Sequence, residues 1–121
     1  MAGLGTLLLG MVLALPLCAL AANDPDQEIQ YLLEFVAGSG CAFVRNGSNH
    51  DSADAADHLR LKYQRGKRYA NSAENFIDRL ATGSSWSGDP YTVDCSGSVQ
   101  PTAAWLHQAL DNYRQGSEAT P

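Results

Sequence analysis

Basic residues are scarce in this chain: 8 lysines and arginines stand against 13 acids, a formal charge of −5 over 121 residues. That balance argues against a whole-domain nucleic-acid binder, which needs a basic surface. Cysteine is scarcer still, with three in all. No CxxC pair and no Cys/His ligand spacing occurs, which removes the usual thiolate metal centres, and no HExxH motif is present. Gly83-Ser84-Ser85-Trp86-Ser87 ends in Ser where a hydrolase GxSxG elbow needs Gly. An SxxK pair is missing too, because Leu59 and Gln64 stand three residues before Lys62 and Lys67. These patterns assign no catalytic residue, no metal ligand and no cofactor. No repeat or internal domain boundary is evident, and the length allows one ordinary domain rather than a two-domain enzyme.

What the chain does have begins with an uncharged apolar run from Leu4 to Leu20, short for a membrane span once Pro16 is counted. Ala19-Leu20-Ala21 fits the small-x-small rule for signal peptidase, so residues 1–21 are expected to be a cleaved signal peptide and residues 22–121 the mature domain. Met1 to Gly5 carries no Lys or Arg, which is atypical, and an uncleaved anchor is the alternative. A lipoprotein is disfavoured because Leu17 precedes Cys18 where processing wants a small residue. Cys18 leaves with the signal. The remaining pair, Cys41 and Cys95, reads as a disulfide in an exported chain. Closing a loop of 95 − 41 = 54 residues stabilises a fold by about 4 kcal/mol.

Asp24-Pro25 opens a first helix, on which Ile29, Leu32, Leu33 and Val36 form a one-sided stripe before Gly38-Ser39-Gly40 ends it. Residues 41–45 read as a strand closed by the turn pair Asn46-Gly47. A second helix from Asp51 or Ser52 to about Gln64 sets Ala55, Ala56, Leu59 and Tyr63 inward, with acids early and bases late. Asn71, with Glu74 three residues on, predicts a capped third helix burying Phe76, Ile77, Leu80 and Ala81. Residues 82–90 form a Ser/Gly-rich loop, 91–95 a second strand and 96–100 a turn. A fourth helix starts at Pro101 or Thr102, with Trp105, Leu106, Ala109, Leu110 and Tyr113 inward and a frayed tail from Gln115. A Cys41–Cys95 bond would align the two strands antiparallel, with Phe43 near Val93 and Arg45 near Tyr91. The Arg45-Asn46-Gly47 turn would then lie close to the loop at Ser84 to Tyr91.

Several short motifs occur in order: Phe43-Val44-Arg45-Asn46-Gly47, His58-Leu59-Arg60-Leu61-Lys62, Ala73-Glu74-Asn75-Phe76-Ile77-Asp78, and Ala81 through Ser84-Ser85, Gly88 and Pro90-Tyr91. Together, over residues 28–114, they resemble a family of small proteobacterial exported proteins that includes the enteric YfeK-like proteins. It is catalogued only as a domain of unknown function. The resemblance implies a Gram-negative periplasmic location. It brings no activity and no catalytic residue.

Arg60, Lys62, Arg65, Lys67 and Arg68 place five positive charges in nine residues, leaving 13 acids and 3 bases elsewhere. Such a stretch suits an anionic ligand or an acidic partner, or else a solvated helix end neutralised by Asp51, Asp54 or Asp57. In the serine loop, Ser84, Ser85 and Ser87 with their amides can nest an anion, and Arg45 can clamp it. Alternatively the serines only cap the turn. Trp86 either stacks on a sugar or partner or plugs the edge of the core. Asp54 and His58, four apart, can pair or share a metal, although His58 beside Leu59 more often serves structure. Glu74 and Asp78 are expected to face water.

The sequence thus predicts an α+β domain, mainly helical, with about four helices, a short two-stranded antiparallel ribbon and one disulfide, Cys41–Cys95. Its expected role is a non-enzymatic binding or interaction module for an anionic or saccharide ligand or an envelope partner. The candidate surface is Arg45, Asn46, Ser84, Ser85, Trp86 and Ser87, flanked by Arg60 and Lys62. The alternative is a small envelope hydrolase or transferase whose serine or carboxylate catalyst no motif identifies. No nucleic-acid partner and, after signal cleavage, no transmembrane segment is expected.

Overall fold

The computed structural model describes residues 24–119. The expected signal peptide, residues 1–21, lies outside them. Helix α1 (Pro25–Gly38) starts with Pro25 in its first turn and Asp26 and Glu28 near its positive end, and it buries Ile29, Leu32, Leu33 and Val36. Helix α2 (Ser52–Arg65) is capped by Asp51, whose carboxylate accepts the Asp54 amide at 2.8 Å, and its stripe Ala55, Ala56, Leu59 and Tyr63 is buried. A short 3-10 turn, Lys67–Tyr69, leads to α3 (Ala73–Asn75), which runs directly into a π-helical stretch, Phe76–Ala81. Its cap is Ser72 rather than Asn71: the Ser72 hydroxyl accepts from Asn75 N at 3.0 Å. Helix α4 (Thr102–Ala119) buries Leu106, Ala109 and Leu110 and extends into the stretch expected to fray.

The ribbon is a four-stranded antiparallel sheet, not a two-stranded one. Strands β1 (Ala42–Arg45), β2 (Ser48–His50), β3 (Thr92–Cys95) and β4 (Ser98–Pro101) lie in the order β2-β1-β3-β4. The outer strands form because Asn46-Gly47 and Ser96-Gly97 all take positive φ, 49° and 79° in one pair and 56° and 93° in the other. Two successive residues in that region make a tight hairpin turn whose twist matches the strands on either side. The chain therefore folds straight back and pairs. The returning segments, Ser-Asn-His and Ser-Val-Gln-Pro, are short and polar, with Pro101 at the edge where no ladder amide is needed. Little in their composition announces a strand.

The inner pair has the register expected from the cysteines: Phe43 faces Val93 and Val44 faces Thr92. Continued one way, it sets Cys41 against Cys95, which are bonded with Cα atoms 4.6 Å apart. Continued the other way, it brings Arg45 to Tyr91.

This element order contains a repeat that the residues conceal. A helix, a hairpin and a helix (α1-β1-β2-α2) are followed by a helix, a hairpin and a helix (α3-β3-β4-α4). From the turns onward the second unit trails the first by fifty residues: 46 to 96 at the turn, 52 to 102 at the helix start. Only Gly47, Ser48, Ala53, Tyr63 and Gly66 recur, as Gly97, Ser98, Ala103, Tyr113 and Gly116, too few to register as self-similarity. The units differ most before the hairpin, where residues 39–41 join α1 to β1 but residues 82–91 join the π-helical stretch to β3. That extra length builds one wall of the candidate site.

Candidate functional site

A cavity of about 440 Å³ opens at the end of the β1–β3 pair opposite the disulfide. Its first wall is α2. His58, Lys62 and Arg65, at i, i+4 and i+7, share one helical face and line it. The matching face of α4, fifty residues on, carries the uncharged Gln108, Asn112 and Gln115. The second wall is the strand end, with Arg45 and Tyr91, and the third is the loop with Ser84, Ser85 and Trp86. Gly66 and Leu80 close the side where α2 meets the π-helical stretch.

The loop is held from within. Its base is pinched where Gly83 bridges to Pro90 and Ser84 N donates to Asp89 O at 2.9 Å. A Cβ on Gly83 would stand 2.8 Å from Asp89 O, so only glycine permits that approach. Buried Ser84 is the hub: its Oγ accepts from the amides of Trp86 and Ser87, each at 3.1 Å, and from Asn46 Nδ2 at 3.3 Å. Ser87 Oγ in turn donates to Asn46 Oδ1 at 2.6 Å. The hairpin turn and the serine loop are thus fastened together, as the disulfide register implies. The same bonds remove part of the anion nest that the serines suggest, because Ser84 Oγ already takes two of its amides. Trp86 is 91% exposed and plugs nothing.

The electrostatics are one-sided. Arg45, Lys62 and Arg65 line the cavity, and none of its lining residues is acidic. Among the described residues, no carboxylate pairs with Arg45 or Lys62. Lys62 Nζ donates to Gly83 O at 2.8 Å and to the Tyr91 hydroxyl at 3.1 Å. Burial, and then Arg45, push its pKa down to about 8. His58 Nε2 lies 3.1 Å from the same hydroxyl. Burial first, then Arg45, Lys62 and His50, depress the His58 pKa to about 4, so the ring is neutral at pH 7. With Lys62 donating to its oxygen, the Tyr91 hydroxyl keeps its own proton to donate to Nε2 in the tautomer that carries the His58 proton on Nδ1. Burial raises the Tyr91 pKa, opposed by Arg45.

A depressed histidine pKa makes stability depend on pH in a definite direction. The unfolded chain binds the His58 proton near pH 6.5 and the folded chain only near 4, so this contribution is fully present above 6.5 and is lost as pH falls towards 4. Urea midpoints measured between pH 7 and 5 are expected to fall in the native protein and to fall less in His58→Gln.

The structure sorts the sequence candidates. Arg45, Asn46, Ser84, Ser85, Trp86 and Lys62 are brought together around one cavity. Ser87 stands just behind it, bonded to Asn46. Arg60 is elsewhere: two residues from Lys62 on a helix, it points to another side, where it pairs with Glu34 at 2.9 Å and Asp57 at 3.1 Å. The basic stretch is therefore no single patch, since Lys67 and Arg68 lie over the rings of Tyr63 and Tyr69. Asp54 does not pair with His58, whose partner is Tyr91, and Glu74 faces Arg114 rather than water alone. Among the described residues no Ser hydroxyl or carboxylate hydrogen-bonds His58, and no group of three His, Cys, Asp or Glu side chains is arranged to hold a metal. The hydroxyl that meets His58 in this cavity is that of Tyr91, not the serine or carboxylate that the hydrolase alternative requires.

The candidate surface read from the sequence left out His58, Leu61, Arg65, Gly66, Tyr69, Leu80 and Tyr91, all of which line the cavity. The spacing of His58, Lys62 and Arg65 on one helical face was the signal available for the α2 wall. The cysteine register set Tyr91 beside Arg45, but nothing in the sequence paired it with His58, 33 residues away.

Among the described residues, no helix is long and apolar enough to cross a membrane. No solved structure matches this chain significantly. The chain is similar to the uncharacterised protein YfeK of Salmonella typhimurium (strain LT2), with 37% identity over 82 residues, 67% of this chain and 68% of that one. A family model described as a family of unknown function, DUF5329, matches residues 23–114, which hold every strand and all the cavity residues. The chain belongs to that family.

Proposed function

We propose that this protein is a periplasmic binding module that holds a small anionic ligand in the cavity between α2, the Arg45 turn and the Trp86 loop. The observation that carries the reading is the lining: three cations, a neutral histidine and no acid, with an Arg45 guanidinium that no carboxylate among the described residues satisfies. Half-buried cations held apart from carboxylates cost folding free energy and are compensated when an anion arrives. The cavity has the size of small-molecule sites. A periplasmic setting fits the disulfide, which persists in oxidising compartments, and fits the signal expected at residues 1–21.

Isothermal titration with sulfate at low ionic strength tests this. Saturable binding is expected in the native protein, and Arg45→Ala and Lys62→Met should each weaken it about tenfold, the usual value of a charge-assisted hydrogen bond. Arg60→Ala, outside the cavity, should leave it unchanged. Sulfate keeps its charge across neutral and alkaline pH, so affinity should fall as pH rises through about 8, where Lys62 gives up its proton. Absence of saturable binding, or equal affinity in Arg45→Ala, contradicts the reading.

A further inference from the structure

The cavity that collects the cations also collects apolar surface. Four large hydrophobic side chains are exposed among the described residues, and three of them, Leu61 at 40%, Tyr69 at 43% and Trp86 at 91%, line this one site. Leu80 adds a fourth apolar side chain to the lining. A bare inorganic anion makes no use of such a wall. Nor is the tryptophan there because its loop is slack. Ser84 Oγ holds its amide, Asn46 ties the loop to the hairpin, and Gly83 lets the loop base close. An indole left in water on a braced loop is a preorganised contact, because little conformational entropy remains to be lost when something packs on it.

Resting on the anion-binding reading, we infer that the ligand is an amphipathic anion: one carboxylate or phosphate group on a compact apolar ring or chain. The acidic group sits against Arg45 and Lys62, and the apolar body covers Leu61, Tyr69 and Trp86. A sugar phosphate offers the same head with a hydroxylated body. The apolar contact thus separates the two classes where charge does not.

The test compares three probes at one pH and one salt concentration: inorganic phosphate, glucose 6-phosphate and phenyl phosphate. Phenyl phosphate is expected to bind at least about tenfold more tightly than either of the others, as burial of one ring face provides. Trp86→Ala and Leu61→Ser alter exposed positions and leave the fold intact. They should abolish that advantage, bringing phenyl phosphate to within about twofold of inorganic phosphate in the same variant. If glucose 6-phosphate or inorganic phosphate matches phenyl phosphate, or the advantage survives both substitutions, the amphipathic assignment is overturned and anion binding stands. If none of the three binds, or Arg45→Ala weakens none, anion binding itself is overturned.

Discussion

Replacing both Cys41 and Cys95 by serine should lower the unfolding free energy by about 4 kcal/mol, because it frees a 54-residue loop in the unfolded chain. For a domain of this size that is a fall of about 20 °C in melting temperature. Few single features contribute so much to a fold whose total margin is about 5–15 kcal/mol. The bond also anchors the one register on which the site depends. It fixes Cys41 against Cys95 at one end of β1 and β3, and the same ladder sets Arg45 beside Tyr91 at the other. Calorimetry with and without a reductant measures the effect. An unchanged melting temperature would mean that the sheet and core set the register unaided.

Arg114→Leu is expected to destabilise the protein by about 3 kcal/mol. From α4, the guanidinium makes a two-pronged contact with Glu28 of α1, at 2.7 and 2.8 Å, and reaches Glu74 of α3 at 2.7 Å. Three elements far apart in sequence are joined by one side chain. Glu28 is 4% exposed, so removing the cation that grips both of its oxygens takes this ion pair from a desolvated carboxylate, a costly loss. Partial exposure of Arg114 itself holds the expectation at the lower end of the usual range. The same bonds keep the Glu74 carboxyl below its ordinary range, opposed by its partial burial. Denaturant titration at pH 7 checks this, and Arg114→Lys, which keeps the charge but loses the fork, should fall between the two. Equal stability of all three proteins would reduce the cluster to surface decoration.

The parts of this molecule that were legible in its sequence are those governed by local chemistry. The stripes Ile29-Leu32-Leu33-Val36 and Ala55-Ala56-Leu59-Tyr63 fix two helices and their buried faces, because a 3.6-residue period leaves few alternatives. The cysteine pair supplied a long-range constraint, and from it came the register and the meeting of the Asn46 turn with the serine loop. Strands β2 and β4 were not legible. Ser48-Asn49-His50 has neither alternation nor β-branched residues, and its pairing is imposed by the Asn46-Gly47 turn. The cap of the third helix passed from Asn71 to its neighbour Ser72, a choice that backbone dihedrals make and residue types do not.

The candidate site divides in the same way. Residue types marked Arg45, Trp86 and the serines, but not which amides would be free, since Ser84 Oγ uses two of them internally. Arg60 and Lys62 look alike in the sequence, and only helical geometry sends one to Glu34 and Asp57 and the other to Tyr91. The cavity itself results from the break between two otherwise parallel units, ten residues at 82–91 where the first unit has three at 39–41. A repeat of elements without a repeat of residues leaves little for sequence comparison to find.

Anomalous diffraction from a crystal soaked in selenate asks most directly whether this cavity is an anion site. The expected result is a selenium peak inside it, within hydrogen-bond reach of the Arg45 guanidinium and Lys62 Nζ, that disappears in Arg45→Ala crystals of the same form. Selenium found only at the outer cations, Arg68 or Lys67, with the cavity empty, would contradict the account.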